Sequence, residues 1–144
     1  MTKDLLTIAK GIADRAEAES IKDNVPVAVT VIDTHGNVVL THRMPGAPAF
    51  ALELAERKAY TSALIGMRTA DLVPLVQPGA ALYPLLAVSG GRYSAMGGGV
   101  PYTREGQLIA GVGVSGGTVE QDTAIVEAAM TVEQDTGIVE GAMS

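Results

Sequence analysis

From Lys3 to Ser20, apolar residues recur at three- and four-residue spacing: Leu5, Ile8, Ile12 and Ala16, with Lys3, Lys10, Asp14 and Glu17 between them. That period predicts a helix with one apolar stripe. Asp23-Asn24 ends it, and Pro26 suits the first position of a strand. Val25 to Asp33 then alternates, with Val27, Val29 and Val31 on one side and Ala28, Thr30 and Ile32 on the other. Its β-branched content on both sides predicts a strand covered on both faces. Asp33-Thr34-His35-Gly36-Asn37 is turn chemistry, and Val38 to Met44 reads as a second strand, close enough to pair as a hairpin. After Pro45-Gly46-Ala47-Pro48, a long helix is expected from Ala49 to about Met67. One of its stripes is made of Ala55, Ala59, Ala63 and Met67. A face of small residues lets a helix lie close to a sheet.

Thr69-Ala70-Asp71 suits the cap of a short helix reaching Val76, closed by Gln77-Pro78-Gly79. Leu85 to Ser89 reads as a third strand. Ala95 to Thr103 and Gln107 to Val114 form a hairpin around Arg104-Glu105-Gly106. The last helix opens at Thr118, where Thr118-Val119-Glu120-Gln121 fits a capping box. The order is helix, two strands, helices, three strands, helix. Short links within each strand pair favour antiparallel neighbours. The expected fold is therefore α/β of the α+β kind: one five-stranded, mainly antiparallel sheet with helices packed on it in a profilin- or PAS-like layering.

One segment is repeated. Residues 118–130, TVEQDTAIVEAAM, return as 131–143, TVEQDTGIVEGAM, differing only at Ala124/Gly137 and Ala128/Gly141. We expect one domain over residues 1–130, followed by a duplicated acidic segment at 131–144. Charge is also uneven along the chain. All ten Lys and Arg lie before Gly117, and the excess behind the net charge of −6 sits on Glu120, Asp122, Glu127, Glu133, Asp135 and Glu140.

Composition removes several kinds of chemistry. With no Cys, there is no disulfide framework, thiolate metal site or Cys nucleophile. The scarcity of aromatic residues and the negative charge argue against a nucleic-acid partner. No apolar run has spanning length and the start resembles no signal peptide, so the expectation is a cytoplasmic protein with no membrane partner.

The glycine-rich strand end is the most suggestive stretch. Gly111-x-Gly113-x-x-Gly116 matches a dinucleotide fingerprint, but the chain after Gly117 offers no second strand with the acidic residue that fingerprint needs. Gly113-x-Ser115-x-Gly117 matches a nucleophile elbow, yet no His follows His42 to complete it. What remains is steric. Alternation places Leu108, Ala110, Val112 and Val114 on one face and Ile109, Gly111, Gly113 and Ser115 on the other. A bare face admits either a helix, here the small-residue stripe, or a flat ligand. Gly97, Gly98 and Gly99 on the neighbouring strand would widen such a hollow. Ser115, Gly116 and Gly117 would aim backbone N–H groups at an anion, although a tight turn explains the same glycines. These eight residues are the candidate ligand contacts. His35 in the hairpin turn and His42 on the second strand are the only imidazoles. Asp33-x-His35 offers too few ligands for a specific metal site.

Several segments taken together resemble a known family: VAVTVIDTHGNVVLTHRMPGA (27–47), ALELAERKAYTSA (51–63), GGGVPY (97–102) and IAGVGVSGGTVEQDTAIVEAAM (109–130). They are similar to the GlcG/HbpS family, which also forms the C-terminal domain of PduO-type corrinoid adenosyltransferases. The marks are Asp33 and Gly36 in the hairpin, Lys58-Ala59 on the helix, the glycine strand, and the stretch from Gly113 to Asp122. The resemblance implies a five-stranded antiparallel α/β fold and self-association into dimers or larger rings, octamers among them. For some members it implies haem, and through the PduO relation a corrinoid is a second tetrapyrrole to consider. For haem, His42 or His35 would be the axial candidate. It further implies a setting in glycolate, diol or glycerol metabolism. Two positions depart from the family. Its Arg-x-Asp-Gly-Ala reads Arg43-Met44-Pro45-Gly46-Ala47 here, and the first helix lacks the histidine that haem-binding members can carry. A small-ligand-binding accessory protein is the leading expectation. A ligand-free scaffold and an enzyme on a small hydroxy- or keto-compound stay open beside it.

Overall fold

A computed structural model describes the backbone of residues 3–143 and the side chains of residues 3–131. Helix α1 spans Leu5–Lys22, and the Asp4 side chain caps it by accepting from Thr7 N. Strands β1 (Ala28–Asp33) and β2 (Val38–Arg43) follow as an antiparallel hairpin. Its turn is held by Asp33, whose Oδ1 accepts from the backbone N–H groups of His35 and Asn37. Helix α2 (Ala51–Ile65) ends on Gly66 in the left-handed conformation, at φ 78°. A short α3 (Thr69–Leu72) leads into single-turn segments, and then β3 (Gly99–Arg104) and β4 (Gln107–Ser115) form the second hairpin. Helix α4 is Val119–Met143.

The sheet has four strands in the order β2-β1-β4-β3, antiparallel throughout. The hairpins join along β1 and β4, where Ala28 opposes Ser115 and Asp33 opposes Ala110. The expected fifth strand is absent. Leu85 to Ser89 lies in a 3-10 stretch, Tyr83–Gly91, that begins on Tyr83-Pro84 and is broken by left-handed Ser89 and Gly90. Proline and two left-handed residues prevent the extended pairing that an apolar run alone suggests. Thr69 is also used differently from a cap: its hydroxyl bonds Gly99 N and O and so ties α3 to β3.

Helices α1 and α4 cover one face of the sheet, and α2 covers the other. Beneath α1 and α4, Val29, Val31, Ala110, Val112 and Val114 meet Ile8, Ile12, Ile125, Val126 and Met130 in one apolar cluster. The first copy of the repeat thus packs onto the sheet. The side chains of residues 132–144, nearly all of the duplicated segment expected at 131–144, lie outside the described residues.

Candidate functional site

The bare face of β4 is closed by α2. A Cβ on Gly111 would lie 2.1 Å from the Ala59 carbonyl oxygen and 2.4 Å from Ala63 N, and one on Gly113 would lie 2.1 Å from the Ala55 carbonyl oxygen. Helix and strand backbones are thus in direct contact, and a ligand has no room between them. The other glycines do the same service. A Cβ on Gly97 would strike the Thr123 hydroxyl at 2.5 Å, one on Gly99 the Lys58 carbonyl oxygen at 2.7 Å, and one on Gly116 the Pro26 carbonyl oxygen at 2.5 Å. Of the two readings of this bare face, a helix or a flat ligand, the structure shows the helix at Gly111 and Gly113, where the alanine stripe of α2 fills the space, while Gly97 meets α4 and Gly116 meets Pro26.

Gly98 frames what the interior holds instead. Lys58 is only 2% exposed, and its Nζ donates to the Val114 carbonyl at 3.0 Å and to Asp122 Oδ2 at 3.1 Å. Asp122 Oδ1 accepts from Gly117 N at 2.9 Å. Gly98, at φ +125°, passes so close that a Cβ would stand 2.8 Å from Lys58 Nζ. Burial holds the Lys58 ammonium below the usual lysine range, and the facing Asp122 carboxylate only partly offsets this. The pair joins α2, the end of β4 and the start of α4.

The Ser115-Gly116-Gly117 turn is likewise spent internally. Thr118 N donates to Gln121 Oε1 and Gln121 N to Thr118 Oγ1, which completes the expected capping box. Gly117 N is bound to Asp122, so this amide and Thr118 N serve the helix start rather than an outside anion. Among the described residues, no buried side-chain nitrogen or oxygen lacks a partner. None forms a cluster of three or more metal-ligating side chains.

Ligand-sized space lies outside the sheet. His42, on the edge strand β2, lines a hollow of about 410 Å³ with Glu17, Thr41, Arg43, Met44 and Pro45. Its Nδ1 is 2.8 Å from Glu17 Oε1, so the ring donates there and its Nε2 lone pair is left free in the neutral imidazole. His35 is exposed in the hairpin turn at the other end of β2. The length of the strand, roughly 15 Å, separates the two rings, so they cannot share one small site within a protomer. A second hollow, of about 470 Å³, is walled by Leu54, Val76, Leu86, Tyr93 and Met96 with Arg57 at its border. Sequence reading singled out His42 but missed Glu17 as its partner, because nothing local links residues on different elements.

Such a domain, with its glycine face closed by a helix and open hollows at its edges, is a small α+β module. The chain belongs to the HbpS-like family, described as haem degrading protein HbpS-like, whose model matches residues 5–131. It is 41% identical over 125 residues to a 15.0 kDa protein from the dhaT-dhaS intergenic region of Citrobacter freundii, covering 87% of this chain and 88% of that one. The corrinoid adenosyltransferase PduO of Salmonella typhimurium is 41% identical over 127 residues, but the match spans 88% of this chain and 37% of that enzyme. Among solved structures, the PduOC:heme complex superposes with a TM-score of 0.85 at 38% identity, covering 90% of this chain and 94% of that one. Among the described residues, no helix is long and apolar enough to cross a membrane.

Proposed function

We propose that the protein is a self-associating accessory protein that binds a tetrapyrrole, haem or a corrinoid, and that His42 would hold its metal. The observation that carries this reading is the 2.8 Å bond from His42 Nδ1 to Glu17. Metal-bound histidines almost always give their other ring N–H to a carboxylate or carbonyl, which fixes the tautomer and strengthens the ligand. Glu17 supplies that arrangement before any metal arrives. The surroundings fit the group. Pro45 and the stem of Arg43 offer apolar surface, and the Arg43 guanidinium, which donates to the Ala47 carbonyl, puts a cation beside the same hollow. The Met44 sulfur accepts from Ser20 Oγ and so braces the hollow rather than competing for the metal. Bound there, haem would supply an iron centre, and the chain would orient it through His42 and shield one side of the ring. A relative whose structure is a heme complex and a family described as haem degrading support the same choice.

Self-association is part of the proposal. Val73 and Leu75 on the 3-10 turn Val73–Val76, with Leu82, Tyr83 and Val88 before and within the Tyr83–Gly91 stretch, are 39–51% exposed, more apolar surface than single scattered residues give. Light scattering of Tyr83→Glu/Val88→Glu should show a smaller particle than the parent.

Titration with haemin and with hydroxocobalamin tests the ligand. Saturable binding with a shifted Soret band is expected for haemin, lost in His42→Ala and kept in His35→Ala. A shift that persists in His42→Ala would overturn the assignment.

A further inference from the structure

The 470 Å³ hollow is not isolated. Arg57 also borders a second, charged hollow of about 250 Å³, lined by Glu53, Glu56, Ser89, Gly90 and Arg92. The wall between them is Ser89–Gly91, three successive residues at positive φ, of which Ser89 at 55° is the strained one. An apolar trough thus opens beside a polar end that holds two arginines.

How those arginines are held decides what the polar end can bind. Arg57 Nη1 donates to the Gly91 carbonyl at 2.7 Å, and the Arg92 guanidinium lies 4.0 Å over the Tyr60 ring. These uncharged partners fix both cations in place. Their acidic partners are more exposed: Glu53, which takes bonds of 3.0 and 2.8 Å from Arg57 Nε and Nη2, has a side chain 66% exposed, and Glu56, 44% exposed, makes only a long 3.3 Å bond to Arg92. Exposed ion pairs of this kind contribute little. A carboxylate arriving from solvent can therefore take the place of Glu53 or Glu56 without disturbing the guanidinium positions.

We propose that the two hollows form one site for an amphiphilic carboxylate, with its apolar body between Leu54, Val76, Leu86 and Met96 and its head group on Arg57 and Arg92. The volume falls within the usual range for small-molecule sites, about 300–1,000 Å³. This site is separate from the His42 hollow and does not depend on it.

Calorimetric titration of the full chain with octanoate and with octanol tests the assignment. Octanoate should bind at least ~10-fold more tightly than octanol, a preference of about 1.4 kcal/mol. Arg57→Gln/Arg92→Gln should erase that preference. Glu53→Gln/Glu56→Gln, which removes only exposed acids and so keeps the fold, should tighten octanoate several-fold. Octanol binding as well as octanoate, no octanoate binding at all, or no gain in the glutamine pair would each overturn the proposal.

Discussion

The two faces of strand β4 solve one packing problem in opposite ways. Towards α1 and α4 the strand presents Ala110, Val112 and Val114, and side chains fill the gap between sheet and helices. Towards α2 it presents Gly111 and Gly113, and nothing fills the gap because the backbones touch. The first face is stabilised by area removed from water and tolerates small changes of volume. The second has no such latitude. Close approach also brings polar groups into the interior, and Lys58 finds its partners at the end of β4 only because Gly98 leaves space for its ammonium.

Breaking the buried pair should have the largest effect. Lys58→Ala leaves Asp122 buried with Gly117 N as its remaining bond, and removal of one member of such a pair costs about 3–5 kcal/mol. Urea denaturation should show that loss, whereas Lys58→Met/Asp122→Leu should recover much of it. The pair also predicts a pH dependence. The folded-state pKa of Lys58 is lowered, so between that value and 10.5 the unfolded chain holds more protons than the folded one. Stability from this group therefore rises with pH through that window, and the rise should be missing in Lys58→Met.

Gly113→Ala comes next. Its Cβ would overlap the Ala55 carbonyl oxygen, which is backbone and cannot rotate away. We expect a loss of about 3 kcal/mol by denaturant titration, at the upper end for overpacking. On the opposite face, Val112→Ala removes buried volume without a clash and should cost about 2 kcal/mol. The order of these two variants is the sharpest test of the contrast, because reversal would mean that α2 can lift from the strand.

Ending the chain at Met130 should matter least. A thirteen-residue repeat is out of phase with an ideal helix, which advances about 3.6 turns over that length, and the first copy supplies the buried Ile125, Val126 and Met130. The second copy carries Gly137 and Gly141, which lower helix propensity by about 1 kcal/mol each. A melting temperature within a few degrees of the parent is the expected result.

Much of this architecture was legible in the residues. Period and turn chemistry located both hairpins, α1, α2 and the capping box at Thr118, because those features are local. Leu85–Ser89 was misread since a short apolar run does not reveal whether anything will cover it, and here the Ser89-Gly90 bend prevents pairing. The glycine strands were recognised as bare, and the alanine stripe that fits them was seen as well. Choosing between a helix and a ligand required knowing that the two meet. Lys58 and Asp122 stood out only as marks of resemblance, since their pairing joins residues far apart in the chain. The same limit hid Glu17 behind His42.

If glycine strands are for packing and the ligand sits at the β2 edge, binding should be felt at one place and not the other. Amide NMR shifts on titration with gallium protoporphyrin IX, a diamagnetic haem analogue, report this directly. Perturbations centred on Glu17 and Thr41–Met44, with Gly97–Gly99 and Gly111–Gly117 nearly still, are the predicted result. Perturbations centred on the glycine strands would contradict it.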